Sequence, residues 1–127
     1  MAVEVYWQNE KKTIIRQNYF GRVSMEDLHQ AIAMTRIMLN DVDYEVDVII
    51  NIARGAIPPA RMVSAAYVAE AKLPKNRRLV VIVNPTPMVK ALVKLSRSTA
   101  PGVTANMYFA DDMFEARGLI AYYNSLI

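Results

Sequence analysis

The segment from Tyr44 to Ala66 constrains the fold more than any other part of the sequence. In a strand over residues 44–53, four aliphatic side chains would share one face, and two polar side chains with one isoleucine would share the other. The aliphatic face holds Val46, Val48, Ile50 and Ile52, and the mixed face holds Asp47, Ile49 and Asn51. A Gly/Pro turn follows, in which Pro59 suits the first position of a helix, because its missing N–H costs no hydrogen bond there. A strand that feeds a helix in this way predicts the start of a βαβ unit.

The mixed face of this strand is polar where a strand covered on both sides would be apolar. Asp47 and Asn51 flank Ile49 there, and burying polar groups without partners is costly. The pattern predicts a sheet face that is partly open, or a pocket with a polar lining.

Length and composition favour a single domain over residues 1–127. A chain of this length, with 54% hydrophobic and 21% charged residues, can bury a core without metal or disulfide. The chain contains no cysteine, which excludes disulfides and thiolate metal sites. Residues 1–7 lack the layout of a signal peptide, and no apolar run reaches the roughly 18 residues of a membrane span. We therefore expect a cytoplasmic location without a transmembrane segment.

Five β-rich runs and four helical patterns alternate along the chain. The predicted strands are Val3–Trp7, Thr13–Phe20, Tyr44–Ala53, Leu79–Val83 and Thr104–Ala110. The predicted helices start at Ser24, Pro59, Thr86 and Asp112. The first, second and fourth end near Asn40, Leu73 and Asn124, and Ala100-Pro-Gly102 ends the third. The order β-β-α-β-α-β-α-β-α predicts an α/β fold with a single mixed, mostly parallel β-sheet. In it, the first hairpin supplies the one antiparallel step, because β–helix–β crossovers are right-handed.

The first helix shows an apolar arc wide enough to lie on a sheet, and the helix after Thr86 has a predicted buried side. In the first helix the stripe is Leu28, Ile32, Thr35 and Leu39, with Ala31, Met34 and Met38 alongside. In the helix after Thr86 the predicted buried side is Met88, Leu92 and Leu95 beside Val89 and Val93.

The element order, the Gly21–Asp27 entry to the first helix and the closing helix over Asp112–Tyr123 together resemble the STAS domain. This is the fold of sulfate-transporter tails and anti-sigma-factor antagonists, with a lipid-binding sporulation-antagonist-like branch. The resemblance covers nearly the whole chain and implies a regulatory, non-enzymatic domain that binds other proteins.

The functional motif of that family is where this sequence departs from it. In the sigma-regulating members, the helix after the third strand begins with a hydroxyl residue that a partner kinase phosphorylates. Here that place reads Arg54-Gly-Ala-Ile-Pro-Pro-Ala60 and holds no hydroxyl. The nearest one, Ser64, lies among alanines, and we interpret it as a packing residue.

The resemblance therefore implies a STAS-like protein-interaction module without the serine switch. Its predicted partner-binding residues are Arg54, Gly55, Ile57 and Arg61, together with the helix that follows. The alternative is a carrier for a lipid or a small apolar ligand, which would use the sheet face and the adaptable side chains of Met25, Met34 and Met38. Core packing is the other interpretation of these methionines, and a homodimer is left open.

The middle of the chain is basic, with nine basic residues and one acidic residue between positions 54 and 110. Lys90, Lys94 and Arg97 share one helix face at spacing i, i+4, i+7, near Lys75, Arg77 and Arg78 on the turn before a strand. This face predicts an anion-attracting surface, or simply the solvent side of an amphipathic helix. The net charge of +3 is too small to indicate nucleic-acid binding.

Residues that could carry catalysis are sparse, and the sequence predicts neither an enzyme nor a cofactor or metal site. His29 is the single histidine, so neither a typical zinc site nor a Ser-His-Asp triad is indicated. Asp111 and Asp112 fit a helix start better than a catalytic pair. An acidic run over residues 41–47 lacks the glycine and final glutamate of a calcium loop and is interpreted as a solvated turn. Neither a dinucleotide fingerprint nor a P-loop is present.

Overall fold

A computed structural model describes residues 2–57, 74–99 and 106–126, apart from the side chains of Met88, Leu92, Ser96 and Thr99. Five strands form one sheet in the order β1-β2-β3-β4-β5. The strands are β1 (Val3–Trp7), β2 (Ile14–Tyr19), β3 (Val46–Ile52), β4 (Arg77–Val83) and β5 (Met107–Ala110). The described helices are α1 (Met25–Asn40), α2 (Pro87–Thr99) and α3 (Met113–Ser125).

The strand pairing confirms the predicted mixed, mostly parallel sheet. β1 pairs with β2 antiparallel, and the pairs β2–β3, β3–β4 and β4–β5 are all parallel. β4 is an interior strand, since Val81 lies opposite Ile49 on one side and Tyr108 on the other. All five residues from Leu79 to Val83 are buried, as a continuous apolar run predicts for a strand covered on both faces.

The two faces of the sheet are covered by different helices. The helices α1 and α2, which connect parallel strands, pack on one face with the aliphatic residues of β3. The helix α3 follows the last strand and packs on the other face, where Ala116 and Ile120 meet Ile49, Val81 and their neighbours. Right-handed crossovers that always step in the same direction place the connecting helices on one side, so the second face is left to α3.

Three of the four predicted helix starts, at Ser24, Thr86 and Asp112, are confirmed by their hydrogen bonds. The Ser24 hydroxyl accepts from the Asp27 N–H at 3.0 Å, and the Asp27 carboxylate accepts from the Ser24 N–H at 2.9 Å, which completes a capping box. These bonds from Ser24 lower the pKa of the Asp27 carboxyl below its usual value. Asp112 caps α3 by accepting from the Glu115 N–H at 2.8 Å, and Thr86 caps α2 by accepting from the Val89 N–H at 3.2 Å.

Parts of the predicted helix faces were wrong. Leu95 was expected to be buried and is 63% exposed, and Met34 lies at the surface rather than in the stripe of α1. Each side chain lies at the border of its apolar arc, so a modest rotation of the helix moves it into water. The predicted helix over residues 59–73 and the first residues of the predicted last strand, Thr104 and Ala105, lie outside the described residues.

Within the described ranges, no helix is both long and apolar enough to span a bilayer.

Candidate functional site

Three neighbouring strands end at the same edge of the sheet, and each is followed by a residue with a positive φ. Gly21 follows β2 at φ 65°, Gly55 follows β3 at φ 86°, and Asn84 follows β4 at φ 55°. Glycine adopts this conformation without steric cost, and asparagine tolerates it better than most residues. The carboxyl ends of parallel strands are where α/β sheets most often bind ligands, so the side chains on these turns are the candidate site.

The turns after β2 and β3 are tied to each other through the backbone. The Ile57 N–H donates to the Gly21 carbonyl at 3.0 Å, and Arg22 and Ile57 form an isolated parallel bridge. The Ala56 N–H donates to the Ala53 carbonyl at 3.0 Å, which closes a four-residue turn with Gly55 at the third position, as a type II turn requires. Ala56 is buried beneath this turn, whereas Ile57 is 69% exposed.

The side chains on these tied turns combine exposed cations with exposed apolar groups. Arg22 and Arg54 are both exposed, and Phe20 and Ile57 are the large apolar side chains beside them. We define the carboxyl-edge surface as Phe20, Arg22, Arg54, Gly55 and Ile57. An apolar anchor among arginines is typical of protein-binding surfaces, in which aromatic residues and arginine are enriched.

The structure places three of the four predicted partner-binding residues on the carboxyl-edge surface, namely Arg54, Gly55 and Ile57. The fourth, Arg61, lies outside the described residues, as does Ser64. Phe20 and Arg22 were not predicted, because they are more than 30 positions away from Arg54 in the sequence. The signal that could have found them is the parallel pairing of β2 with β3, which brings Tyr19 beside Ile52 and so joins the two turns.

The turn after β4 is held by hydrogen bonds on both sides. The Asn84 side chain donates from Nδ2 to the Ile52 carbonyl at 3.0 Å, and the Asn84 N–H donates to the Ala110 carbonyl at 2.9 Å. The end of β4 is thereby fixed to β3 and to β5. These bonds connect the turn after β4 to the strand that carries Arg54, Gly55 and Ile57 at its end.

The predicted anion surface is only partly supported. Lys90 and Lys94 are exposed on α2, but the Arg97 guanidinium donates from Nη2 to the Met107 carbonyl at 3.2 Å, at the start of β5. Arg78, which was expected nearby, instead forms an ion pair with Asp47. Lys75, Lys90, Lys94 and Arg97 all remain exposed, and Arg97 also contacts β5.

Asp47 is a structural residue rather than the lining of a polar pocket. It is 3% exposed, and its two carboxylate oxygens accept from Arg78 Nε at 2.8 Å and Arg78 Nη2 at 2.7 Å. The Leu79 N–H also donates to Asp47 Oδ1 at 3.1 Å, and Arg78 reaches the Asn124 side chain on α3. The hydrogen bonds with Asp47 raise the pKa of the Arg78 guanidinium. This pair joins β3, β4 and α3 at the amino ends of the two strands. The carboxyl-edge surface lies at the other end of these strands.

Asn51, the other polar residue of β3, is half-buried and is hydrogen-bonded towards β2 and β1. Its Nδ2 donates to Asn18 Oδ1 at 3.1 Å, and Asn18 Nδ2 donates to the Tyr6 hydroxyl at 2.9 Å. Arg16 also donates from Nε to Asn18 Oδ1 at 2.7 Å, and its guanidinium lies 5.9 Å from the centre of the Tyr6 ring. α3 packs on the β3–β5 half of this face, so the prediction of a partly open face fits the β1–β2 half.

A buried polar chain between the sheet and α1 was missed by sequence analysis, which placed Thr35 in an apolar stripe. Gln17 is 1% exposed and donates from Nε2 to Thr35 Oγ1 at 2.9 Å, while the Tyr19 hydroxyl donates to Gln17 Oε1 at 2.9 Å. Thr35 in turn donates to the Ala31 carbonyl at 2.8 Å. Because each of these groups has a partner, this series of hydrogen bonds fixes the position of α1 on the sheet at no cost from unpaired polar groups.

The remaining candidates for chemistry have ordinary structural places. His29 is exposed on α1, and Asp112 caps α3. Met25 and Met38 pack against the core, so neither is on open surface as a carrier would need. In the part of the chain that the structure describes, no group of three or more acidic or histidine side chains could hold a metal ion.

No protein-family model matches the chain, and no curated protein matches it.

Proposed function

We propose that this chain is a STAS-like, non-enzymatic interaction module that binds a protein partner through the carboxyl-edge surface. The observation that carries the proposal is the exposure of Ile57 between Arg22 and Arg54, on turns joined by a backbone hydrogen bond. An anchor that is already fixed in place loses little conformational entropy on binding. Exposed arginines beside it favour a partner whose apolar pocket has an acidic rim.

The strand pairing agrees with the predicted hairpin leading into parallel strands, and this element order is one of the features on which the resemblance to the STAS domain rests. The described part of the turn after β3, residues 53–57, carries no hydroxyl side chain. A partner would therefore recognise the unmodified turn, and binding would not require phosphorylation at these positions.

The carboxyl-edge surface can be tested by reversing its anchor and its charge together. We expect Arg54→Glu/Ile57→Glu to reduce recovery of a defined protein from source-cell extract by about tenfold or more. The reason is that a few anchor residues contribute most of the binding free energy of an interface. Recovery is measured by quantitative mass spectrometry beside the wild type. Arg36→Glu, an exposed charge reversal on α1, is the matched control and should retain the same protein. Equal recovery by the double variant and the wild type would contradict the proposal.

The lysines of α2 test the alternative of a lipid carrier. We expect Lys90→Glu/Lys94→Glu to shift the melting temperature by less than about 3 °C, because exposed charges contribute little to stability. We also expect the wild type not to float with anionic phospholipid vesicles, and the double variant to keep its protein partner. Vesicle binding by the wild type that falls steeply with salt and is lost in the variant would instead favour the carrier.

A further inference from the structure

The sheet has two outer strands, and their free edges differ. In β5, Asn106 and Ala110 direct their carbonyls to β4, since these accept from the N–H groups of Val80 and Asn84 at 2.9 Å each. By alternation the Met107 carbonyl points outward, and Arg97 donates to it at 3.2 Å. A cationic side chain that covers an edge is a usual protection against strand pairing.

The outer edge of β1 has no such cover among the described residues. The Phe20 N–H donates to the Ala2 carbonyl and the Gln8 N–H to the Ile14 carbonyl, so the even-numbered residues of β1 face β2. The N–H and C=O groups of Val3, Val5 and Trp7 therefore point outward. The strand reads Val-Glu-Val-Tyr-Trp, without the proline, lysine or bulge that blunts an edge strand.

We propose that the edge of β1 pairs with the same edge of a second copy of this chain. The two strands would run antiparallel about a two-fold axis at Val5, which joins two five-stranded sheets into one. Val5 then faces Val5 of the second copy, and Val3 faces Trp7, so that all three outward residues fall in hydrogen-bonded pairs.

The side chains favour this register and a second copy of the chain as the partner. Glu4 would lie opposite Tyr6 of the second copy, whose ring carries the Arg16 guanidinium at 5.9 Å, so a carboxylate from one copy meets a cation of the other. Val3 beside Trp7 is a β-branched and aromatic pair, which stabilises sheets. A register centred on Glu4 would place two carboxylates face to face, and one centred on Tyr6 would leave Val3 unpaired.

Cysteine crosslinking tests the register directly, because the chain has no cysteine of its own. Residues 4 and 6 would form a non-hydrogen-bonded pair with Cα atoms about 4.5 Å apart, which is within disulfide range. A mixture of the Glu4→Cys and Tyr6→Cys proteins should give a disulfide-linked dimer under mild oxidation. Either protein alone, and a mixture of Asp43→Cys with Tyr6→Cys, should give at least about fivefold less, since thiol exchange requires contact.

Sedimentation velocity over about a hundredfold range of protein concentration gives a second measurement, because the fraction of protein in the dimer must rise with concentration. We expect the wild type to dimerise and Val5→Pro to remain monomeric with an unchanged circular dichroism spectrum, since the lost N–H points away from β2. A wild type that is monomeric throughout, or crosslinking as strong in the single-variant samples as in the mixture, would overturn the proposal. The first outcome would leave the edge to an extended peptide of another protein.

Discussion

We expect Val81→Asp to lower the melting temperature by more than about 15 °C or to prevent folding, because it places an unpaired carboxylate in the interior. Val81 has no exposed surface. It lies between Ile49 and Tyr108 in neighbouring strands and beneath α3. A buried charge of this kind costs several kcal/mol, which is a large fraction of the stability of a small domain.

Ile57→Asp is the matched comparison for this substitution. It introduces the same charge in place of another aliphatic residue, but Ile57 is 69% exposed, so the new carboxylate stays hydrated. We expect its melting temperature to stay within about 4 °C of the wild type. Similar melting temperatures for Val81→Asp and the wild type would show that β4 is not the interior strand of the sheet.

Asp47→Ala is expected to reduce the free energy of unfolding by about 3–5 kcal/mol, because it leaves the Arg78 guanidinium without its carboxylate partner in a largely buried place. The side chain of Arg78 is 19% exposed and that of Asp47 is 4% exposed. The loss also removes the acceptor of the Leu79 N–H. Urea denaturation followed by circular dichroism would measure the change.

A double variant separates the cost of an unpaired ion from the loss of the pair itself. Asp47→Leu/Arg78→Met removes both charges, and we expect it to be more stable than Asp47→Ala, because no unpaired ion is left behind. A loss below about 1 kcal/mol in Asp47→Ala would show that the two groups are hydrated and that the pair does not join the strands.

The features predicted correctly from sequence are those that depend on neighbouring residues. The alternation in β3 identified its two faces, since residues two apart must point to the same side of a strand. The capping box at Ser24 and Asp27 and the cap at Asp112 each lie within three residues of the groups they satisfy. The spacing of such residues determines their geometry locally, so these features can be predicted without the tertiary fold.

Features that depend on distant pairing were not predictable in this way. Asp47 and Arg78 are 31 positions apart in the sequence and form hydrogen bonds between two strands. Gln17 and Thr35 form a hydrogen bond between a strand and a helix. Sequence analysis placed Arg78 among the surface cations because nothing beside it marked a buried acid. The same reason explains Arg97, whose role at the edge of β5 depends on where that strand begins.

The candidate site was predicted in part for a related reason. Arg54, Gly55 and Ile57 belong to one turn with a recognisable glycine, so they could be grouped from the sequence. Phe20 and Arg22 join them only through the register of β2 with β3. When a binding surface is built from two turns, the sequence therefore predicts only the residues of one turn until the pairing of the strands is known.

The placement of α3 alone on the second face of the sheet has a consequence for synthesis of the chain on the ribosome. When residue 110 has emerged, all five strands can pair, but Ile49, Leu79, Val81 and Val83 still face water. They stay exposed until Ala116 and Ile120 leave the exit tunnel. During that interval the nascent chain displays an apolar sheet surface, the kind of feature that chaperones bind and that promotes aggregation.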